Sequence, residues 1–143
     1  MSSSEKVVVA VGLPGSGKST YFRNLGIQPI SSDAIRAELT GDEGNQTVNS
    51  QVFAKMRALL KEERPVTYID ATNLTRRDRK QWFRPECQME AIYFDVPLEI
   101  CKARNAARSR QVPEHVLDLM AAKIIPPSVE EGFSRVETIS CPA

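Results

Sequence analysis

The stretch Gly-Leu-Pro-Gly-Ser-Gly-Lys-Ser, from Gly12 to Ser19, directly follows the apolar run Val7–Val11. An apolar run without polar alternation is typical of a strand that is covered on both faces in a parallel sheet. Gly-x-x-x-x-Gly-Lys-Ser between such a strand and a helix is the pattern of a phosphate-binding loop, because glycines let consecutive backbone N–H groups point at one anion. The pattern therefore predicts an α/β fold of the P-loop NTPase type.

The residues of this loop carry the predicted nucleotide site. We expect Lys18 to contact the terminal phosphates of a nucleoside triphosphate and the Ser19 hydroxyl to coordinate Mg²⁺. The sequence has no Asn-Lys-x-Asp, which reads guanine in GTPases, so ATP is the predicted nucleotide. The predicted ATP-binding residues are Gly12, Pro14, Gly15, Ser16, Gly17, Lys18, Ser19 and Thr20.

Apolar runs and segments of helical period alternate along the rest of the chain, which predicts a parallel five-stranded sheet flanked by helices. The predicted strands are 7–11, 27–30, 66–70, 91–94 and 135–139. The predicted helices are 18–25, 34–39, 49–63, 76–84, 97–108 and one that begins at 113. A chain of 143 residues fits one compact domain, 1–143. It has no room for the added subdomains of large mechanical ATPases.

The net charge and the hydropathy of the chain limit the kinds of partner that it can bind. Nineteen Lys and Arg against eighteen Asp and Glu give a net charge of +1, so any basic binding site must be local. No apolar run approaches the ~20 residues that cross a bilayer, and we expect a soluble, cytoplasmic protein without membrane contact. Cys87, Cys101 and Cys141 are odd in number and far apart, which predicts reduced, partly buried thiols.

Two carboxylates stand at the ends of predicted strands, where ligands bind in open α/β sheets. Asp33 follows the second strand and is a candidate catalytic base for an attacking hydroxyl, or else a cap for the next helix. Asp70 ends the third strand and is a candidate Mg²⁺ ligand through water, with Thr72 and Asn73 completing a polar rim at the substrate. The alternative for Asp70 is an ordinary turn residue.

Arginines form two groups. Arg104 and Arg108 are four residues apart, so we expect them to share a helix face and to present two planar donor forks that can neutralise a transferred phosphoryl group. The alternative is a solvated basic face, since Lys102 and Arg110 lie in the same segment. The second group is interpreted as a solvated helix with Trp82 and Phe83 partly packed; its basic residues are Arg76, Arg77, Arg79, Lys80 and Arg84.

Three segments resemble the P-loop 5′-hydroxyl polynucleotide kinases. They are Ser31-Ser32-Asp33-Ala34-Ile35-Arg36, Asp70-Ala71-Thr72-Asn73-Leu74, and Phe94-Asp95-Val96-Pro97 leading to Arg104 and Arg108. The resemblance implies that Asp33 is the general base, that Arg36 contacts a substrate phosphate, and that Arg104 and Arg108 belong to a lid over the ATP phosphates. It also implies a repair ligase or phosphoesterase partner, since such modules accompany bacterial relatives. The Asp-Ala-Thr-Asn spacing differs by one residue from the phage form, and we expect a stand-alone kinase domain without the phosphatase domain of that form.

The predicted function is an ATP- and Mg²⁺-dependent kinase that phosphorylates the 5′-hydroxyl end of RNA or DNA. Arg36 follows Asp33 by one helical turn, so one segment presents a base to the hydroxyl and a cation to the next phosphodiester. One alternative keeps the chemistry but uses the hydroxyl of a sugar, nucleotide or antibiotic. Another is a non-catalytic ATP-binding switch, against which Asp33 argues because a sensor needs no acceptor base.

Overall fold

A computed structural model of the chain describes residues 5–43, 45–108 and 111–140, except for the side chain of Gln46. Five parallel strands form one sheet in the order β2-β3-β1-β4-β5. The strands are β1 (Lys6–Val11), β2 (Ile30–Ser31), β3 (Val66–Asp70), β4 (Gln88–Asp95) and β5 (Arg135–Ser140). The helices are α1 (Lys18–Asn24), α2 (Ser32–Thr40), α3 (Asn49–Leu60), α4 (Arg76–Lys80), α5 (Leu98–Ala106) and α6 (Glu114–Lys123). The predicted α/β P-loop fold is confirmed.

The central strand β1 divides the core between the two faces of the sheet. Val7, Val9 and Val11 belong to the larger cluster, which includes Val52 and Met56 of α3. Val8 and Ala10 belong to a second cluster with Phe22 of α1. Both faces of β1 are therefore covered, which explains why its sequence has no polar alternation.

The strand order determines which segments can reach the P-loop. Strand β1 pairs with β3 on one side and with β4 on the other, so the loop behind β1 stands at the middle of the carboxyl edge. Residues that follow β3 and residues that follow β4 approach this loop from opposite sides. Such a position, where the chain winds outward in two directions, is where open α/β sheets bind ligands.

Strand β2 is shorter than the predicted strand 27–30 and begins at a later residue, Ile30. Gly26 ends α1 in the left-handed conformation (φ 69°), and its N–H donates to the carbonyl of Arg23. The N–H of Ile27 donates to the carbonyl of Phe22, and the Ile27 side chain packs against the second cluster. Ile27 thus completes the helix cap, and pairing with β3 begins only at Ile30.

The segment 76–84 differs from the predicted solvated helix. Helix α4 ends at Lys80, and Thr75 and Asp78 form a capping box at its start. Arg79 is wholly buried, and its guanidinium donates to both carboxylate oxygens of Glu131, at 2.8 and 2.7 Å. Trp82 is also wholly buried rather than partly packed. The solvated interpretation is wrong for Arg79, because its partner Glu131 lies 52 residues away in the sequence. Trp82 is packed, as predicted, but more deeply, and it donates to Asn73.

Within the described ranges, Cys87 and Cys101 are free thiols, the first half-buried and the second buried, as predicted. Cys141 lies outside the described residues. Helices long and apolar enough to span a membrane are absent from the part of the chain that the structure describes.

The Arg79–Glu131 pair predicts a large loss of stability when one charge is removed. Arg79→Met removes both guanidinium hydrogen bonds from the Glu131 side chain, which is 4% exposed, and leaves the exposed Arg76, at 3.8 Å, as its remaining cation. We expect the free energy of unfolding to fall by about 3–5 kcal/mol, measured by urea denaturation. Arg77→Met is the matched control, because Arg77 is exposed on the same helix. Equal effects at both positions would contradict the role of the buried pair.

Candidate active site

The P-loop conformation depends on glycine at two positions. Gly15 and Gly17 have φ angles of 83° and 98°, which residues with a side chain rarely adopt. A Cβ on Gly15 would stand 2.6 Å from the carbonyl oxygen of Cys101 in α5. The loop is therefore folded against the backbone of α5, with no space for a side chain between them.

Lys18 is the first residue of α1, and its side chain folds back over the loop. Its Nζ donates to the carbonyl oxygens of Gly12 and Leu13, at 2.8 and 3.0 Å. Burial lowers the pKa of Lys18, and the carboxylates of Asp70 and Asp33 partly offset that effect. The structure thus places a desolvated ammonium group inside the loop that is expected to hold phosphates.

Ser19 and Asp70 are 51 residues apart in sequence and in contact in the structure. The Ser19 hydroxyl donates to Oδ2 of Asp70 at 3.0 Å. Burial raises the pKa of Asp70, while the charge of Lys18 and the Ser19 hydrogen bond act in the opposite direction. A cation beside these oxygens would offset the cost of burying the carboxylate.

These oxygens fit the predicted Mg²⁺. Mg²⁺ prefers oxygen ligands, keeps several waters and commonly uses only one or two carboxylates together with substrate phosphates. Groups of three or more His, Cys, Asp or Glu that would bind a metal by themselves are absent from the described residues. The assignment of Ser19 and Asp70 to Mg²⁺ remains a prediction.

Asp33 is not the cap of α2. The Ser31 hydroxyl accepts the cap hydrogen bond from the N–H of Ala34, so neither Asp33 nor Ser32 caps the helix. The Asp33 side chain is 57% exposed, and its charge influences both Lys18 and Asp70. The carboxylate therefore lies near the P-loop and is accessible to a substrate.

Arg36 is held among protein groups. Its NH1 donates to Oδ1 of Asp33 at 2.9 Å and to the carbonyl of Glu43, and its NH2 donates to Asn49 at 2.8 Å. The side chain is 5% exposed, and its buried Nε has no hydrogen-bond partner among the described residues. The predicted segment that carries a base and a cation is present, but a substrate phosphate would compete with Asp33 for Arg36. No motif or spacing in the sequence indicated Glu43 or Asn49 as partners of Arg36.

The two candidate lid arginines do not share a helix face. Arg104 lies in the last turn of α5 and donates to the carbonyl of Gly15 at 3.3 Å. Arg108 lies beyond the end of α5 and pairs with Glu43 at 3.4 Å. Burial is the main cause of the lowered pKa of Lys18, and the nearby charge of Arg108 lowers it further by a smaller amount. Both arginines therefore lie near the P-loop, at the carboxyl edge of the sheet. Arg110 lies outside the described residues.

Thr72 and Asn73 have different positions. The carbonyl of Thr72 accepts from the N–H of Gly12, and Thr72 lines a cavity beside α3. The Asn73 side chain is buried; its amide donates to the carbonyl of Ala10 at 2.7 Å, and its oxygen accepts from Trp82 at 2.7 Å. The predicted substrate contact by the Asn73 side chain is corrected, because its hydrogen-bonding groups join parts of the protein.

The chain belongs to a family of P-loop domains. A family model described as an AAA domain matches residues 7–127, which is most of the chain. The chain therefore belongs to this AAA-domain family, and together with the relatives described next the match confirms the predicted resemblance to P-loop kinases.

Relatives include kinases of several kinds. The chain is 29% identical over 151 residues to a bifunctional polynucleotide phosphatase/kinase of Schizosaccharomyces pombe; the match covers 96% of this chain and 34% of that protein. The chain thus spans about a third of that relative. In the structure of a Pnkp1/Rnl/Hen1 complex, the similar chain is 27% identical, with a TM-score of 0.59 over 76% of this chain and 41% of that chain. A gluconokinase from Sinorhizobium meliloti 1021 has a TM-score of 0.62 at 17% identity, over 96% of this chain and 83% of that chain, and this shows the fold.

The raised pKa of Asp70 predicts a pH-dependent stability. Between the usual aspartate pKa of about 4 and the raised value, the folded protein keeps a proton that the unfolded chain releases. The free energy of unfolding of the ligand-free protein should therefore fall, relative to Asp70→Asn, as pH rises through this range. Thermal melts of both proteins from pH 4 to pH 8 measure the difference, and a gain for wild type over this range would contradict the prediction.

Proposed function

We propose that this domain is a Mg²⁺-dependent kinase that transfers the γ-phosphoryl group of ATP to the 5′-hydroxyl end of RNA or DNA. The kinase fold and its use of a nucleotide follow from the family; the acceptor and the residue roles are the proposal. The observation that carries it is the exposed carboxylate of Asp33, placed beside Arg36 and within electrostatic range of Lys18. A nucleotide sensor would need no such base.

In the proposed step, the acceptor hydroxyl oxygen attacks the γ-phosphorus and its proton passes to Asp33. The bond between the γ-phosphorus and its bridging oxygen breaks, and ADP leaves with that electron pair. Lys18 is expected to contact the terminal phosphates, and Arg104 and Arg108 to neutralise charge on the transferred group. Mg²⁺, when bound at Ser19 and Asp70, neutralises phosphate charge.

The choice of a polynucleotide rests on charge and on the relatives. Asp33 and Arg36 are adjacent, and an oligonucleotide supplies both a hydroxyl and a nearby phosphodiester. The chain's net charge of +1 favours recognition of the strand end over long contacts along the strand. The match to the fission yeast phosphatase/kinase supports this acceptor, and the similar chain in the Pnkp1/Rnl/Hen1 complex supports a repair ligase or phosphoesterase as partner. Because a gluconokinase shares the fold, a small hydroxylated metabolite is the competing candidate for the acceptor.

Incubation with γ-labelled ATP and a panel of acceptors tests the proposal. We expect label on 5′-hydroxyl RNA or DNA, including very short strands, and none on the same strands with a 5′-phosphate. Because few phosphates would be contacted, the rate should depend only weakly on salt. Labelling of a sugar or another small hydroxyl compound, with none on oligonucleotides, would instead support the metabolite kinase.

Replacement of Asp33 separates catalysis from nucleotide binding. Asp33→Asn keeps the size of the side chain but removes the proton acceptor, so transfer should fall by roughly 10²- to 10⁴-fold with little change in ATP affinity. Glu38→Gln is the matched control, because Glu38 is exposed on the same helix and pairs with Lys55. Near-normal transfer by Asp33→Asn would show that Asp33 is not the base.

A further inference from the structure

A cavity of about 370 Å³ opens between α3, α4 and the residues that follow β3. Its volume lies within the ~300–1,000 Å³ typical of small-molecule pockets. Its lining includes Ser50, Phe53, Arg57, Thr72, Asp78 and Gln81. Of these residues, only Thr72 is predicted from the sequence to lie at the substrate, and nothing in the sequence indicates that the others join it in one cavity.

The cavity lies on one flank of the P-loop. Thr72 follows Asp70 by two residues, and its carbonyl is tied to the N–H of Gly12 at the start of the loop. Arg104 approaches the same loop from α5, which follows β4 on the opposite side of β1. Arg104, which we expect to contact the nucleotide, thus lies on one side of the loop, and the cavity lies on the other. The cavity is therefore on the side that remains for the acceptor.

The lining suits an uncharged planar ring. Phe53 is half-buried, and its ring lies 6.2 Å from the ring of Trp82, which is wholly buried. Arg57 donates to Oε1 of Gln81 at 2.8 Å, so a guanidinium and an amide stand together across the opening between α3 and α4. Asp78 balances the charge of Arg57. A second phosphate or a sugar acid would require excess positive charge, whereas a nucleobase offers a face for stacking and an edge for hydrogen bonds.

We propose that this cavity receives the leading nucleobase of the acceptor strand, stacked on Phe53 with Arg57 and Gln81 at its edge. The inference rests on the proposed function and adds to it a subsite for the first nucleoside. The adenine of ATP is the other source of the same chemistry, and the experiments below distinguish the two.

The first experiment compares two 5′-hydroxyl trinucleotides that differ only in whether the leading nucleotide carries a base. We expect kcat/KM to be roughly 5- to 150-fold lower for the abasic strand, which corresponds to the loss of one stacked base. Equal use of both strands would overturn the nucleobase subsite while leaving the kinase function intact.

The second experiment places the effect at the cavity. Phe53→Leu keeps an apolar side chain and should remove most of the preference for the strand with a base, whereas Phe53→Tyr should keep it. Arg57→Gln should raise the KM for the trinucleotide, and Lys55→Gln is the matched control because Lys55 lies on α3 but pairs with Glu38 outside the cavity. The KM for ATP should be unchanged in every variant. A higher KM for ATP in Phe53→Leu would assign the cavity to adenine and overturn the proposal.

The third experiment needs no catalysis. Trp82 is the only tryptophan of the chain, so its fluorescence reports on the neighbourhood of Phe53. Without ATP, the trinucleotide with a leading base should change this fluorescence at lower concentration than the abasic strand does. Such a difference without phosphorylation would support the subsite and refute the kinase proposal, whereas no response and no phosphorylation would refute both.

Discussion

The hydrogen bond from the Asn73 amide to the carbonyl of Ala10 joins the ends of two neighbouring strands, 63 residues apart in sequence. The Asn73 oxygen accepts from Trp82, and its backbone carbonyl accepts from Arg79, which also binds Glu131. Asn73 has a φ of 48°, a left-handed conformation that asparagine tolerates better than most residues. The Asn73 side chain thus links β1 to Trp82, and the Asn73 backbone carbonyl links this junction to Arg79 of α4 and through it to Glu131. The P-loop begins two residues after Ala10.

Two buried charges of opposite sign give the site its electrostatic character. Burial lowers the pKa of Lys18 and raises that of Asp70, because desolvation disfavours the charged form of each group in the ligand-free protein. Phosphates beside Lys18 and a cation beside Asp70 would each restore favourable interactions that water no longer provides. The positions of both groups are already set by hydrogen bonds within the protein, from Lys18 to the carbonyls of Gly12 and Leu13 and from Ser19 to Asp70.

The most direct predictions from the sequence concern motifs of contiguous residues. The P-loop and the Asp33–Arg36 segment each lie within a few positions, so spacing alone places their side chains. The pairing of Arg79 with Glu131 spans 52 residues, and nothing near Arg79 distinguishes it from its exposed neighbours. The cavity at Phe53 likewise needs three separate elements, and only the packed fold shows that they meet.

The close approach of Gly15 to Cys101 has a mechanical consequence. Because backbone rests on backbone there, the loop and α5 have no compressible side chain between them, and a shift of one must displace the other. Arg104 is three residues further along α5 and already contacts the carbonyl of Gly15. Any tightening of the loop around an anion would thus press on the backbone of α5, the helix that carries Arg104, whereas the exposed guanidinium itself can still rotate.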